Sequence, residues 1–218
     1  MNKKVLIAGE HFPILNGLKA LTKNVLGKDV EIDIAQNYQY LLEYLKVQNY
    51  DLLISDLFTQ GIDGLSLIES TLQINPDLRI LIVSLNPSSI FAPRCIEAGA
   101  IGYICTTESE DEFKKAIWQT YMGKRYVTKS SDLIGQNKNS AINNPFDKLS
   151  KQEFSVLLLL LEGHCIKEVS NSLNLKISTV STYRMRILNK LKLNNLMELS
   201  RLAAHFRIDV SGIHTAVI

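Results

Sequence analysis

The segment from residue 3 to residue 127 alternates between two hydrophobic periods, and this alternation restricts the fold more than any other feature of the sequence. Five short β-rich runs occur along it: KVLIA, EIDIA, DLLIS, RILIV and GYIC. Apolar residues between these runs recur at helical spacing, as in Ile14, Leu18, Leu21 and Val25. Strands that alternate with helices predict βα units, and hence an α/β fold with a parallel sheet covered on both faces.

The alternating pattern stops after Val127, and the composition changes. Residues 128–146 are rich in Ser, Asn, Gly and Lys and contain few apolar residues, which is typical of a linker. Helical periods prevail from residue 147 to residue 208, and no convincing strand pattern occurs there. We therefore predict two domains, 1–127 and a small all-α unit at 147–208, followed by a tail at 209–218.

Charge differs between the two parts of the chain. Residues 1–129 carry 13 basic and 15 acidic residues, a net charge of −2, whereas residues 130–218 carry 11 and 7, a net charge of +4. Only the second part therefore favours a polyanionic partner. The N-terminus lacks an apolar run of signal-peptide length, and Val156–Leu161 is far shorter than the roughly 20 residues that span a bilayer. We expect a cytoplasmic protein.

Three polar side chains follow predicted strands directly or after one residue. Glu10 follows VLIAG, Asp56 follows DLLIS and Ser84 follows ILIV. The carboxyl ends of parallel strands meet at one edge of a sheet, where functional groups gather. An aspartate that accepts a phosphoryl group needs acidic ligands for a divalent cation, usually Mg²⁺, and this set supplies part of that chemistry. Acids at strand ends that merely cap the next helix would give the same pattern.

The motifs VLIAGEH, SDLFTQGIDG, ILIVS and EAGAIGYI occur in that order, and with them residues 3–127 resemble a response-regulator receiver domain. The resemblance implies a flavodoxin-like, doubly wound sheet of five parallel strands. It places Asp56 at the phosphoacceptor position and Ser84, Tyr103 and Thr106 at the switch positions. The Mg²⁺ ligands that it implies are Glu10, Asp56 and the backbone carbonyl of Phe58.

Two departures from the receiver pattern lie at the charged positions. The family usually has two adjacent acids after the first strand, and this chain has Gly9 and Glu10. The lysine that the family carries after the fifth strand is replaced by Thr106. Loss of one carboxylate predicts a weak Mg²⁺ site, and loss of the ammonium weakens the coupling between phosphorylation and loop movement. Pro87 and Pro93 also predict a short, kinked or partly melted fourth helix.

One helix of the second unit has two distinct faces. Val180, Tyr183, Ile187 and Leu191 recur at helical spacing and form an apolar face. The other side is polar, lacks acidic residues and begins with small hydroxyl residues at the helix N-terminus, where backbone N–H groups favour phosphate. Such a helix fits a DNA major groove, although an ordinary solvated face has the same pattern.

The motif LSKQE, Gly163 and the run KEVSNSLNLKISTVSTYRMRILNKLKL closely resemble the LuxR-type helix-turn-helix of NarL/FixJ response regulators. This four-helix form implies a structural role for Glu153, paired with a basic residue of the same module. Met185 falls where longer polar groups often contact bases. Five residues match positions that contact DNA in this family: Lys167, Thr179, Ser181, Thr182 and Lys190. Two further candidates for DNA binding, Arg184 and Arg186, lie on or beside the polar face.

Four hypotheses follow for the function. The first is a DNA-binding transcription regulator, not an enzyme, with weakened or lost phosphorylation control, which acts as a homodimer on promoter DNA. The second is a conventional regulator that a sensor histidine kinase switches through Asp56. A haloacid-dehalogenase-type phosphatase would need a second aspartate where the chain has Phe58. A protein-interaction module that binds no DNA is the fourth.

The predicted last helix has an apolar face of its own. Its residues are Leu196, Leu199, Leu202, Ala203 and Phe206. We expect this face either to join two DNA-binding modules or to pack against the first helix of its own module.

Overall fold

The structure, a computed structural model, describes residues 3–59, 62–128 and 144–208, without the side chains of residues 58, 59, 62 and 63. Most of the predicted linker, residues 129–143, and the whole predicted tail, 209–218, lie outside the described residues. The chain divides into two compact units on either side of Thr128. Within the described ranges, no helix is long and apolar enough to cross a membrane.

The first unit is built around a parallel sheet, as its alternating hydrophobic periods predict. In the described residues this sheet has six strands in the order β2-β1-β3-β6-β7-β8, and a separate antiparallel pair, β4 and β5, follows β3. The strands are β1 (Lys4–Ala8), β2 (Glu31–Ala35), β3 (Leu52–Asp56), β4 (Phe58–Thr59), β5 (Ile62–Asp63), β6 (Arg79–Ser84), β7 (Gly102–Cys105) and β8 (Tyr126–Val127).

The sheet has one strand more than the predicted five. Strand β8 pairs in parallel with β7, and the N–H of Tyr126 donates to the carbonyl of Ile101 at 3.1 Å. Two residues are too few to show a period of two, so the hydrophobic pattern does not reveal this strand. Its short length at the sheet edge also limits the row of unpaired backbone groups there.

In the described part of the first unit, five helices connect the strands. They are α1 (Phe12–Leu26), α2 (Tyr38–Val47), α3 (Gly64–Ile74), α4 (Ser88–Glu97) and α5 (Glu110–Tyr121). Alternate strand residues such as Val5, Ile54 and Leu81 share one core with Leu18 of α1 and Ile117 of α5. Their neighbours in the strands, including Leu6, Leu53 and Ile82, are equally buried. Burial of both sets explains the continuous apolar runs and confirms the α/β prediction.

Helix α4 is a continuous helix of ten residues, although its prolines predicted a short, kinked or partly melted one. Pro87 precedes the helix as its N-cap residue, and Pro93 lies inside it. A proline inside a helix removes one backbone hydrogen bond and costs about 3 kcal/mol. Ile90, Phe91 and Cys95 are buried, and burial of an apolar side chain contributes roughly 1 to 3 kcal/mol. Their burial therefore offsets the cost of the proline. Packing against the sheet therefore maintains the helix.

The second unit consists of helices throughout its described range, as predicted. A short 3₁₀ helix, Pro145–Lys148, precedes α6 (Lys151–Leu161), α7 (Ile166–Ser172), α8 (Ile177–Leu191) and α9 (Leu196–His205). Helix α6 begins with a reciprocal capping box between Ser150 and Glu153. Gly163 has φ +90° in the turn after α6, a conformation that favours glycine. Helix α6 packs against α7, α8 and α9.

The apolar face of α9 packs within its own unit. Leu199 and Ala203 are buried, and the Phe206 ring meets the Phe146 ring edge-on, with centroids 5.5 Å apart. These contacts favour the second of the two alternatives for this face, packing inside the module. The residues that α9 leaves exposed are Met197, Ser200, Arg201, Ala204 and His205.

Candidate phosphoacceptor site and nucleic-acid interface

The register of the sheet brings the predicted receiver residues to one edge. Asp56 at the end of β3 pairs with Val83 of β6, and the next residue of β6, Ser84, pairs with Cys105 of β7. Thr106 follows Cys105, and its N–H donates to the Ser84 carbonyl at 2.9 Å. Asp56, Ser84 and Thr106 therefore terminate three adjacent strands at their carboxyl ends.

Gly9 lies beside Asp56 at this edge, because Ala8 of β1 pairs with Ser55 of β3. An ideal Cβ built on Gly9 lies 3.6 Å from the Asp56 Cβ and 3.3 Å from Cδ2 of Leu15. The missing acid of the receiver pattern would thus have projected next to Asp56. Position 9 holds no charge, so Glu10 is the one acid that remains of the two adjacent acids in the receiver pattern.

The donors at this edge fit a hard, oxygen-bound cation only in part. Glu10 and Asp56, both half-buried, supply carboxylates, and Phe58 begins β4 with a backbone carbonyl close to Asp56 in sequence. No group of three His, Cys, Asp or Glu side chains suited to a metal occurs among the described residues. Mg²⁺ keeps several waters and binds through one or two carboxylates, so this set would hold it weakly.

Thr106 brings a hydroxyl group to the position where receivers carry an ammonium. Its Oγ1 is enclosed, and among the described residues it has no hydrogen-bond partner. A hydroxyl can donate one hydrogen bond to a phosphoryl oxygen but cannot neutralise its charge. Position 106 therefore cannot supply the charge-assisted contact that would link a phosphoryl group to β7.

Tyr103 is held inside the sheet by a buried polar cluster. Its hydroxyl donates to the backbone carbonyl of Asn86 at 2.9 Å, and the Asn86 N–H donates to Oγ of Ser84 at 3.1 Å. All three residues are buried. Burial, above all, raises the pKa of the Tyr103 hydroxyl well above its ordinary value, so it stays protonated and donates. Two of the three predicted switch residues, Ser84 and Tyr103, are therefore joined through Asn86, which the sequence pattern did not single out.

The polar face of α8 is exposed, as its pattern predicts. Ser178, Thr182, Met185 and Asn189 are exposed along one line of the helix, and Arg186 lies next to this line. Val180, Ile187 and Leu191 on the opposite side are buried. Helix α8 carries no acidic residue, so its exposed face presents no charge that repels phosphate.

The other residues predicted to bind DNA differ in exposure. Lys167 on α7 is exposed, whereas Thr179, Ser181 and Arg184 are half-buried. The Ser181 hydroxyl donates to the carbonyl of Ile177 at 3.0 Å, and the Thr182 hydroxyl donates to that of Ser178 at 2.9 Å. The Nε of Arg184 is enclosed and has no partner within the described part of the chain. Arg186 and Lys167 are therefore exposed cations, whereas Arg184 is half-buried.

Lys190 makes a contact within its own unit. Its Nζ lies 2.6 Å from Oε2 of Glu153, a side chain only 3% exposed, while the Lys190 side chain is 40% exposed. The same carboxylate oxygen accepts from the backbone N–H of Ser150 at 2.8 Å. The pair joins the start of α6 to the end of α8 across 37 residues of sequence. It provides the basic partner that the resemblance implied for Glu153.

Two opposing effects act on the pKa of Glu153. Burial of the carboxylate is the largest, and alone it would raise the pKa. Hydrogen bonds from the Lys190 ammonium and from Ser150 together outweigh it, and the pKa lies below its ordinary value. Glu153 is therefore ionised at neutral pH and pairs with Lys190 as a carboxylate.

Comparison with known families matches both units. Residues 5–118 match the response regulator receiver domain, slightly more than half of the chain. Residues 147–203 match the bacterial regulatory proteins of the luxR family.

Relatives and solved structures share this two-part organisation. Response regulator GacA of Pseudomonas aeruginosa is 30% identical over 218 residues, 96% of this chain and 99% of the relative. Response regulator UvrY of Escherichia coli K12 is 27% identical over 204 residues, 91% of this chain and 92% of the relative. RcsB of Salmonella enterica serovar Typhimurium, bound to the promoter rprA, matches with a TM-score of 0.75 at 23% identity, covering 93% of this chain and 99% of the RcsB chain. The chain is a response regulator of the NarL/FixJ family, with a receiver domain followed by a LuxR-type helix-turn-helix domain.

Proposed function

We propose that this DNA-binding response regulator acts with little or no dependence on phosphorylation of Asp56. The observation that carries the proposal is the loss of two charges beside Asp56, where Gly9 and Thr106 replace an acid and a lysine of the receiver pattern. A ligand shifts a two-state equilibrium only by its differential affinity for the two states. A phosphoryl group that lacks the ammonium contact has less energy with which to move the switch residues.

Promoter DNA is the proposed target, and a homodimer is the proposed active form, acting in the cytoplasm. An RcsB structure contains two dimers bound to two parallel DNAs, and another contains RcsB on a promoter with the phosphomimetic BeF₃⁻. A module as small as the helical unit gives limited affinity alone, and two half-sites about one helical turn apart supply the rest. Dimerisation, a partner protein or a small ligand would then provide the regulatory signal.

A conventional phosphorylation switch remains the second candidate. The chain keeps Asp56, Glu10, Ser84 and Tyr103 at the positions that the receiver pattern implies. Ser84 lies at the same carboxyl-terminal edge of the sheet as Asp56. Under this hypothesis a sensor histidine kinase phosphorylates Asp56 with weakly bound Mg²⁺, and the Thr106 hydroxyl partly replaces the missing ammonium. A phosphatase activity fits less well, because the second aspartate of that chemistry is absent at Phe58.

The first prediction concerns the DNA-binding face. Arg186→Ala should weaken binding of a target promoter fragment at every salt concentration, because an exposed cation beside the recognition line is lost. If Arg186 contacts one phosphate, the slope of log affinity against log salt should flatten by about 1. The measurement is fluorescence anisotropy with the full chain across a salt series.

Arg201→Ala is the matched control for this measurement. Arg201 is also an exposed arginine of the same unit, but it lies on α9 instead of α8. Its removal lowers the net charge of the domain by the same amount, so a general charge effect would appear in both variants. Equal losses of affinity and equal slopes in the two variants would reject α8 as the recognition helix.

The second prediction concerns phosphorylation in the cell. A reporter gene under the target promoter should respond to Asp56→Asn as it responds to the wild-type chain, because the missing charges leave Asp56 little influence on the switch. Reporter output and protein level are measured together, with a deletion strain as baseline. Output that falls to this baseline in Asp56→Asn at unchanged protein level would support the conventional switch.

A further inference from the structure

We infer that Met185 contacts the 5-methyl group of thymine in the major groove and thereby selects A·T base pairs within each half-site. The inference rests on the proposed DNA-binding function and assigns a sequence preference to its recognition helix. Met185 is 57% exposed and lies on α8 between Thr182 and Asn189, in the middle of the exposed line. It is the longest side chain on that line, with Ser178 and Thr182 before it.

Hydrogen bonds within the helix occupy the hydroxyl protons around Met185. Thr182 donates to the Ser178 carbonyl at 2.9 Å, and Ser181 donates to the Ile177 carbonyl at 3.0 Å. Each hydroxyl has a single proton, so neither group can donate to a base while these bonds persist. Thr182 therefore offers its methyl group, and Met185 its thioether chain, to whatever meets the centre of the face.

The major-groove edges of the four bases differ in whether they carry an apolar group. Thymine presents a 5-methyl group there, whereas guanine, adenine and cytosine carry no methyl group and are distinguished by their hydrogen-bond donors and acceptors. An unbranched thioether is flexible and polarizable, and it packs well against a methyl group. If Met185 met a guanine or cytosine edge, it would cover polar atoms without pairing them, which costs free energy.

Replacement of thymine by deoxyuridine tests this inference, because it removes the methyl group and leaves base pairing intact. Binding sites are first selected from a random duplex library with the full chain, and each thymine is then replaced in turn. For the wild-type chain, we expect one thymine per half-site at which the replacement weakens binding about fourfold, the effect of about one buried methyl group. Met185→Ala should bind the thymine and deoxyuridine duplexes equally.

Two further variants complete the experiment. Met197→Ala removes an exposed methionine of the same domain, 65% exposed on α9, and should keep the wild-type sensitivity to deoxyuridine. Met185→Gln keeps the length but adds an amide, and it should lose that sensitivity. Tight binding with no sensitive thymine, or equal sensitivity in Met185→Ala, would overturn the inference and leave the proposed function intact. Failure to select any DNA would contradict the proposed function itself.

Discussion

Lys190→Met is expected to lower the free energy of unfolding of the helical unit by about 2 to 3 kcal/mol, because it leaves a buried carboxylate without its cation. Glu153 is 3% exposed, and among the described residues its carboxylate would retain the backbone and the side chain of Ser150 as partners. Lys190 is 40% exposed, so water screens part of the interaction, and the expected loss lies below that of a fully buried pair. Hydrogen exchange of the buried amides of α6 and α8 in the full chain measures it.

The control for this prediction is Lys167→Met, which removes an exposed lysine from α7 of the same unit. Its effect on exchange should be small, as for most exposed charges. Glu153→Gln combined with Lys190→Met should recover part of the lost stability, since glutamine still accepts from Ser150 and leaves no buried charge. Equal exchange in Lys190→Met and Lys167→Met would show that the ion pair does not stabilise the unit.

The same pair makes stability depend on pH. The folded-state pKa of Glu153 is lowered, so its contribution is present above the ordinary glutamate pKa of about 4.3 and is lost as pH falls through the lower, folded value. The stability difference between the wild-type chain and Glu153→Gln should therefore shrink below about pH 4. A difference that stays constant over this range would contradict a charged Glu153.

Gly9→Asp combined with Thr106→Lys is expected to strengthen binding of beryllofluoride with Mg²⁺ by about tenfold or more, since a charge-assisted contact contributes about 1.5 to 3 kcal/mol. The Cβ of the new aspartate would lie 3.6 Å from the Asp56 Cβ, and Leu15 need shift by only a few tenths of an ångström to make room for that Cβ. The lysine would supply the ammonium that the edge lacks. Calorimetric titration measures the affinity in each variant.

Uncharged replacements of similar size separate charge from shape in this experiment. Gly9→Asn adds nearly the same volume as Gly9→Asp, and Thr106→Met adds a long side chain without an ammonium. Neither of these uncharged variants should strengthen beryllofluoride binding. In the doubly charged variant, by contrast, beryllofluoride should change the DNA affinity. Unchanged beryllofluoride affinity in the doubly charged variant would show that the two missing charges do not explain a weak phosphoryl response.

Regular hydrophobic periods made most of the fold predictable from the sequence. The strands of the sheet interior and helix α8 repeat their apolar residues often enough to fix element type and buried face. Strand β8 has two residues, and the pair β4 and β5 has two residues each, too few for any period. Helix α4 was underestimated because local propensity around Pro93 gives no information about the burial that maintains it.

Long-range contacts account for what the sequence did not predict at the two sites. Asn86 links Tyr103 and Ser84 through its backbone, and a backbone carbonyl leaves no signature in the side-chain pattern. The partner of Glu153 was expected within the module, but its identity as Lys190 depends on how α6 and α8 cross. Asp56, Glu10 and the exposed line of α8 followed from their positions in regular elements.

The DNA affinity of the wild-type chain and of Asp56→Asn, each with and without beryllofluoride and Mg²⁺, tests the proposed independence from phosphorylation most directly. The proposal predicts four affinities that agree within about twofold, because the phosphoryl analogue has little differential energy with which to shift the receiver. A gain of about tenfold or more, corresponding to about 1.4 kcal/mol of coupling, that appears in the wild-type chain and is absent in Asp56→Asn would contradict it.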